Sequence, residues 1–208
     1  MNIIDAQTAL QRLRDGNRHF ALNLSSQQPV LTETRRSELT AGQAPFAIIL
    51  GCSDSRVPAE IVFDQGLGDL FVIRVAGNIV APSQIGSVEF AASRFGTRLV
   101  VVLGHSQCGA ILATIDELTS VADSPSKNIS SIVDRVKPSV EALLTRDLQD
   151  DPDRLISEAV RANVRASVDQ LKHGSEILET LIKNDGLLVV GAEYSLETGV
   201  VDFFYGTS

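Results

Sequence analysis

The sequence predicts an α/β fold: a mostly parallel central sheet flanked by helices and preceded by an N-terminal helical arm. Short apolar runs alternate with segments of helical periodicity, which is typical of strands joined by crossover helices. The runs are apolar on both faces, as expected for parallel strands covered on either side. A Glu197-Thr198-Gly199 turn precedes the last run, which can therefore pair antiparallel with the strand before it. We expect four parallel strands plus an antiparallel edge strand.

The N-terminal half begins with two helices. Apolar positions recur at helical spacing over residues 5–22, and Asp5 is a candidate N-cap. Thr32 is the candidate cap of a short charged helix over residues 32–41. The further elements expected in this half are strands over residues 46–51, 70–75 and 99–103, a short helix that starts near Pro58 and a helix over residues 84–95.

The C-terminal half is mostly helical before its last two strands. Pro138 is expected to break or kink a helix over residues 129–144. Asp151 and Pro152 form a strong helix start, with an aspartate cap and a proline in the first turn. The other elements expected here are helices over residues 109–118, 151–172 and 175–183, a loop over residues 119–128, and strands over residues 187–192 and 200–205.

Length and composition restrict the class of protein. The chain has 208 residues and a formal net charge of −8, and its basic residues are dispersed, so no nucleic-acid partner is expected. No apolar stretch approaches the roughly 18 residues that a membrane helix needs, and no signal-peptide pattern is visible at the N-terminus. We therefore expect a cytoplasmic protein without a membrane partner, folded as a single domain over residues 1–208.

Two strand ends carry side chains that bind metals. Cys52 follows the first buried strand, and His105 and Cys108 follow the third. Ligands of open α/β sheets bind at the carboxyl ends of strands, and zinc takes cysteine thiolate and histidine nitrogen. Three protein ligands would leave the fourth position for water, as in catalytic zinc sites. Inert buried thiols or a disulfide are the alternatives, although a reducing cytoplasm favours a metal site.

Asp54 and Arg56 accompany the first candidate ligand. Two thiolates cancel the charge of zinc, so water bound there should be less acidic than at a centre of three histidines. A carboxylate that accepts a hydrogen bond from the zinc-bound oxygen can orient it, and a guanidinium can hold that carboxylate in a two-point fork. Asp54 could instead bind zinc as the fourth ligand, which would close the site.

The paired motifs resemble those of the β-class carbonic anhydrases. They read Cys52-Ser53-Asp54-Ser55-Arg56 and Gly104-His105-Ser106-Gln107-Cys108-Gly109, and the resemblance covers nearly the whole chain. It implies an enzyme with one Zn²⁺ per chain that reversibly hydrates carbon dioxide to bicarbonate and a proton by zinc-bound hydroxide.

The resemblance also implies roles for individual residues. Cys52, His105 and Cys108 would be the zinc ligands. Asp54 and Arg56 would form the catalytic pair, with Asp54 able to bind zinc in an inactive form. Contacts to substrate would come from Gln43, Phe71, Ala76, Phe90 and Gly109, of which Phe71, Ala76 and Phe90 would line a small apolar pocket at a dimer interface.

Three other functions are compatible with the same residues. A hydrolase of carbonyl sulfide or carbon disulfide would use this site with a differently shaped pocket. A catalytically silent zinc-binding protein, or a structural zinc with Asp54 as a permanent ligand, would not need the pairing with Arg56. The expected partners are a small-molecule substrate, carbon dioxide or bicarbonate, and further copies of the chain. The N-terminal arm and the pocket residues indicate a homodimer or homotetramer.

Overall fold

One central sheet organises this computed structural model, which describes residues 4–24, 33–119 and 126–207. Within these residues the sheet has five strands in the order β2-β1-β3-β4-β5. Strands β1 to β4 are parallel, and β5 is antiparallel to β4, as predicted. The strands are β1 (Ala47–Gly51), β2 (Leu70–Arg74), β3 (Leu99–His105), β4 (Leu188–Tyr194) and β5 (Val201–Tyr205).

Helices cover both faces of the sheet. One buried cluster packs α1 and α3 on the first face, and a second packs α4, α8 and α9 on the other. No helix in the described ranges is long and apolar enough to cross a membrane. The helices are α1 (Ala6–Ala21), α2 (Glu33–Leu39), α3 (Ala59–Val62), α4 (Pro82–Arg94), α5 (Gly109–Thr119), α6 (Lys127–Glu141), α7 (Arg146–Gln149), α8 (Pro152–His173) and α9 (Glu176–Asn184).

Helix starts follow the predicted capping residues where these are described. The Asp5 carboxylate accepts the N–H of Thr8 at 2.9 Å at the start of α1. Asp151 caps α8 in the same way, with Pro152 in the first turn. Thr32, the predicted cap of α2, lies outside the described residues, as do residues 120–125 of the predicted loop.

The strand order creates a crevice between β1 and β3. The chain leaves β1 toward β2 on one side and leaves β3 toward β4 on the other, so the crossovers diverge at this point. Gly51 pairs in register with Leu103, which brings the residues that follow β1 next to the end of β3. In doubly wound sheets, ligands bind at such a switch point.

Two strands and two helices differ clearly from the sequence prediction. Strand β3 continues to His105 and β4 to Tyr194, because the parallel ladder extends until these two residues pair. Helix α6 is not broken at Pro138 but ends at Glu141. Pro138 is exposed, and the buried face of the same helix packs through Val133, Val136 and Val140, so packing offsets the hydrogen bond that the proline cannot make. Helix α4 starts two residues early, because Pro82 suits a first turn.

Candidate metal centre

Cys52, His105 and Cys108 form one buried cluster at the β1–β3 crevice. Their candidate ligand atoms all lie within 4.8 Å of one another, and the two sulfur atoms are 4.0 Å apart. The three residues are at most 5% exposed. The structure thus brings together the three residues that the spacing of the motifs singled out.

The local backbone explains this convergence. Cys52 follows β1 directly, and His105 is the last residue of β3. Gln107 has a φ of +54°, a left-handed conformation that turns the chain back so that Cys108 faces the other two residues. Helix α5 then starts at Gly109.

The His105 ring has one satisfied nitrogen and one unsatisfied nitrogen. Nδ1 lies 2.9 Å from the carbonyl oxygen of Ser106, and because a carbonyl only accepts, Nδ1 carries the proton. Nε2 is buried without a hydrogen-bond partner among the described residues. Leaving such a group unpaired costs about 1–3 kcal/mol. A metal ion between this nitrogen and the two sulfur atoms would remove that penalty, so the donor set fits zinc.

The two thiols form a buried hydrogen-bonded pair. Their hydrogen bond lowers the pKa of Cys52 and raises the pKa of Cys108, which burial raises further. The pair therefore favours one thiolate and one thiol before any metal binds, and binding a metal through both sulfur atoms releases the remaining proton.

Asp54 and Arg56 border the cluster as a preformed ion pair. Arg56 Nε donates to Asp54 Oδ1 at 2.9 Å, and Nη2 donates to Oδ2 at 2.7 Å. These bonds hold the pKa of the Asp54 carboxyl well below its usual range. Asp54 Oδ2 lies 3.9 Å from His105 Nε2, close to the cluster but outside the three-residue group.

Arg74 is a site residue that sequence reasoning missed. It is the last residue of β2, and its guanidinium donates to the carbonyl of Cys52 at 3.0 Å and to that of Asp54 at 2.5 Å. It thereby anchors the loop that carries both Cys52 and the ion pair. The available signal was an arginine that ends an otherwise apolar strand, at the same edge of the sheet as the motifs.

The predicted substrate residues fall in different places. Ala76 lies beside the cluster, because the next residue, Gly77, donates its N–H to Cys52 Sγ. Phe71 and Phe90 pack with Phe95 at centroid distances of 5.6–6.3 Å. Phe90, which is predicted to line an apolar pocket at a dimer interface, is 53% exposed in the single chain. Gly109 is exposed at the start of α5, and Gln43 is exposed before β1, at the opposite edge of the sheet.

Comparison with known proteins identifies the family. The sequence model of the family described as carbonic anhydrase matches residues 47–201. The chain belongs to the carbonic anhydrase family. Carbonic anhydrase 2 of Mycobacterium tuberculosis is 39% identical over 191 residues, which cover 92% of this chain and 89% of that relative. The carbonic anhydrase of Mycolicibacterium smegmatis is 37% identical and covers 93% of this chain and 91% of its own.

Solved carbonic anhydrases of the β class share the fold. A β-carbonic anhydrase from Coccomyxa, solved in complex with acetazolamide, matches with a TM-score of 0.71 and 25% identity, covering 94% of this chain and 86% of its own. The assignment to β-class carbonic anhydrases that the two motifs predicted is confirmed. Enzymes of this family catalyse the zinc-dependent hydration of carbon dioxide.

Proposed function

We propose that this carbonic anhydrase interconverts carbon dioxide and bicarbonate at a zinc ion held by Cys52, His105 and Cys108. One observation carries the proposal. The unpartnered Nε2 of His105 and two thiols lie within 4.8 Å of one another, beside a carboxylate that an arginine holds in place. Nitrogen and sulfur donors select zinc over magnesium or calcium, which prefer oxygen ligands.

Zinc bound at this centre would supply a Lewis acid that makes water acidic enough to act as a nucleophile near neutral pH. The thiolates of Cys52 and Cys108 and the imidazole of His105 would hold it at a buried position. His105 keeps its proton on Nδ1 through Ser106, so Nε2 stays free to bind the metal.

Asp54 and Arg56 would position the reacting water. With its pKa held low by Arg56, the Asp54 carboxylate is ionised at neutral pH and can only accept hydrogen bonds. Arg56 binds both oxygens of the Asp54 carboxylate and so fixes its orientation, and Oδ2 lies next to the cluster. A water that donates one hydrogen to Oδ2 has its lone pair oriented for attack on carbon dioxide. Attack of the water oxygen on the carbon of carbon dioxide forms bicarbonate, and the proton that the water loses passes to solvent or buffer. Release of bicarbonate completes the turnover.

We further infer that the working unit is a homodimer or homotetramer. β-Carbonic anhydrases from Sordaria macrospora described as tetrameric share this fold, with a TM-score of 0.71. The exposed Phe90 beside the open edge of β2 favours such an interface. Substrate contacts by Gln43, Phe71, Ala76, Phe90 and Gly109 stay predictions, as does the single domain over residues 1–208. Two free, buried cysteines favour a cytoplasmic location.

The test couples metal content to turnover. Freshly reduced protein should contain one zinc per chain and accelerate carbon dioxide hydration in stopped-flow assays. Chelation should abolish the rate, and added zinc should restore it in proportion to occupancy. Protein with a full complement of zinc and no hydration activity would contradict the proposal, and so would an active protein with far less than one zinc per chain.

A further inference from the structure

A one-turn 3₁₀ helix, Ala76–Asn78, presents a backbone donor to the metal centre. The N–H of Gly77 donates to Cys52 Sγ at 3.4 Å in a buried contact. Gly77 has a φ of 69°, and a Cβ at this position would lie 3.0 Å from the Cβ of Ala110. Both the left-handed backbone and the close approach require glycine. The turn is therefore shaped to bring this N–H to the sulfur atom.

Two polar side chains of α8 hold the same turn from behind. Asn163 Nδ2 donates to the carbonyl of Gly77 at 2.8 Å, and Ser167 Oγ donates to that of Asn78 at 3.1 Å. Asn163 and Ser167 are 2% and 4% exposed. Four residues apart, they lie on one face of the helix. Burying an amide and a hydroxyl is unfavourable unless they are hydrogen-bonded, and both bonds go to successive carbonyls of the turn.

We propose that Asn163 is a positioning residue of the metal centre, which binds the carbonyl of Gly77 and so holds the N–H of the same residue against the sulfur of Cys52. The proposal rests on the zinc site proposed above. A hydrogen bond donated to a thiolate withdraws electron density from sulfur, so the metal retains more positive charge. This matters at a centre where two thiolates balance the two charges of zinc. Ser167 supports the same turn one residue further on.

The variants separate this role from the packing of α8. Asn163→Leu keeps a side chain of similar size but removes the donor to Gly77. Ser167→Ala removes only the bond to Asn78. Val168→Ala is the matched control, because Val168 is fully buried on the same helix but packs toward Gly191 of β4 instead of the turn. It should loosen the helix and leave the Gly77 amide in place.

The readouts are the affinity for Co²⁺, measured by chelator competition, and the sulfur-to-cobalt charge-transfer band of the Co²⁺-substituted protein. Asn163→Leu should bind Co²⁺ about 10- to 100-fold more weakly, the usual range for partners that orient metal ligands. Its band should move to longer wavelength, because the thiolate becomes a better electron donor. Ser167→Ala should give a smaller change in the same direction, and Val168→Ala should leave the band unmoved.

The outcomes distinguish this inference from the proposed function. A wild-type protein that binds neither Zn²⁺ nor Co²⁺ would overturn the zinc site itself. Wild type that binds metal and hydrates carbon dioxide, with Asn163→Leu matching Val168→Ala in affinity and spectrum, would overturn only the role of Asn163. If Asn163→Leu fails to fold, Ser167→Ala decides the matter: an unmoved band and affinity would overturn the inference.

Discussion

Asp54 and Arg56 form a closed pair within one short loop. Besides the two guanidinium bonds, the backbone N–H of Arg56 donates to Asp54 Oδ1 at 2.9 Å. The carboxylate is thus fixed by a partner two residues away, and it needs no distant element to set its direction. Arg74 anchors the carbonyls on the other side of the same loop. The carboxylate that we propose to orient the nucleophile is therefore held in place before substrate arrives.

Asp54→Asn should separate metal binding from turnover. The amide keeps the shape of the carboxylate but loses the charge, so its pairing with Arg56 and its hold on water weaken. We expect zinc content to stay near one per chain and kcat/KM to fall about 10- to 100-fold, measured by metal analysis and stopped-flow hydration. Ser53→Ala, an exposed neighbour, is the control and should keep full activity. Undiminished turnover in Asp54→Asn would mean that the pair has another role.

The pH profile should not report the titration of Asp54. Because Arg56 holds its pKa well below the usual carboxyl value of about 3.9, Asp54 stays ionised from pH 5 to pH 8. Its contribution to stability is present above that usual value and is lost only as the pH falls toward the lowered pKa. If kcat of the wild-type protein rises toward alkaline pH, the residual activity of Asp54→Asn should therefore rise with the same midpoint pH. A midpoint that disappears in this variant would refute this assignment.

The fold was predictable because most of its strands are recognisable from their own sequences as short apolar runs. The predicted runs over 46–51 and 99–103 are apolar on both faces, as expected of parallel strands covered by helices on both sides, and β1 and β3 are buried along their whole length. The run over 70–75 forms the partly exposed edge strand β2. Strand ends were less predictable. The ladder continues through Gly104 to His105 because β4 lies alongside, and no local pattern records that neighbour.

The residues of the candidate site were also only partly predictable from the sequence. Cys52, Asp54 and Arg56 were visible because they adjoin in sequence, and His105 with Cys108 because a second strand ends there. The bond from Asn163 to Gly77 joins residues 86 apart, so no spacing rule connects them. Helical spacing predicts that Asn163 lies on the same face of α8 as Val160 and Val164, and it is buried there. Spacing does not identify the group to which its side chain binds. Only the packing of α8 against the turn reveals its partner.

Cys108→Ser should lose metal and activity together. A serine hydroxyl does not ionise at neutral pH, so one of two charged ligands is lost. Zinc content should fall well below one per chain, with hydration lost in parallel. Gln107→Gly is the control in the same loop. It relieves a left-handed φ of +54°, so it should retain zinc and stabilise the protein by about 1 kcal/mol in denaturant unfolding. Full zinc occupancy in Cys108→Ser would remove Cys108 from the ligand set.

Arg74→Lys should impair the loop without removing the charge. A lysine ammonium cannot reproduce the planar fork that reaches the carbonyls of Cys52 and Asp54 together. We expect kcat/KM to fall about tenfold, with zinc retained and KM little changed. Arg94→Lys, at an exposed position near the end of α4, tests whether any arginine replacement has this effect. Equal activities of the two variants would show that the anchoring bonds do not matter for turnover.

Gln43 should contact substrate only across a subunit interface. It precedes β1, whereas the metal cluster follows that strand. Five residues of strand separate the two edges of the sheet by about 16 Å. Gln43 instead borders a cavity with Leu39 and Gly68, at the amino-terminal edge. A role for Gln43 in binding substrate therefore requires the cluster of a second subunit.

Mixed oligomers test this arrangement. Oligomers made only of Gln43→Ala subunits, or only of Asp54→Asn subunits, should each have a lower kcat/KM than the wild-type protein. In a purified heterodimer of the two, the Gln43→Ala subunit has an intact cluster and receives Gln43 from its partner. That site should recover full activity, while the other site carries both defects, so the heterodimer should reach about half of the wild-type rate. Undiminished activity of the Gln43→Ala homo-oligomer would mean that Gln43 has no catalytic role. A heterodimer rate equal to the mean of two impaired single variants, well below half of the wild-type rate, would mean that Gln43 acts within its own subunit.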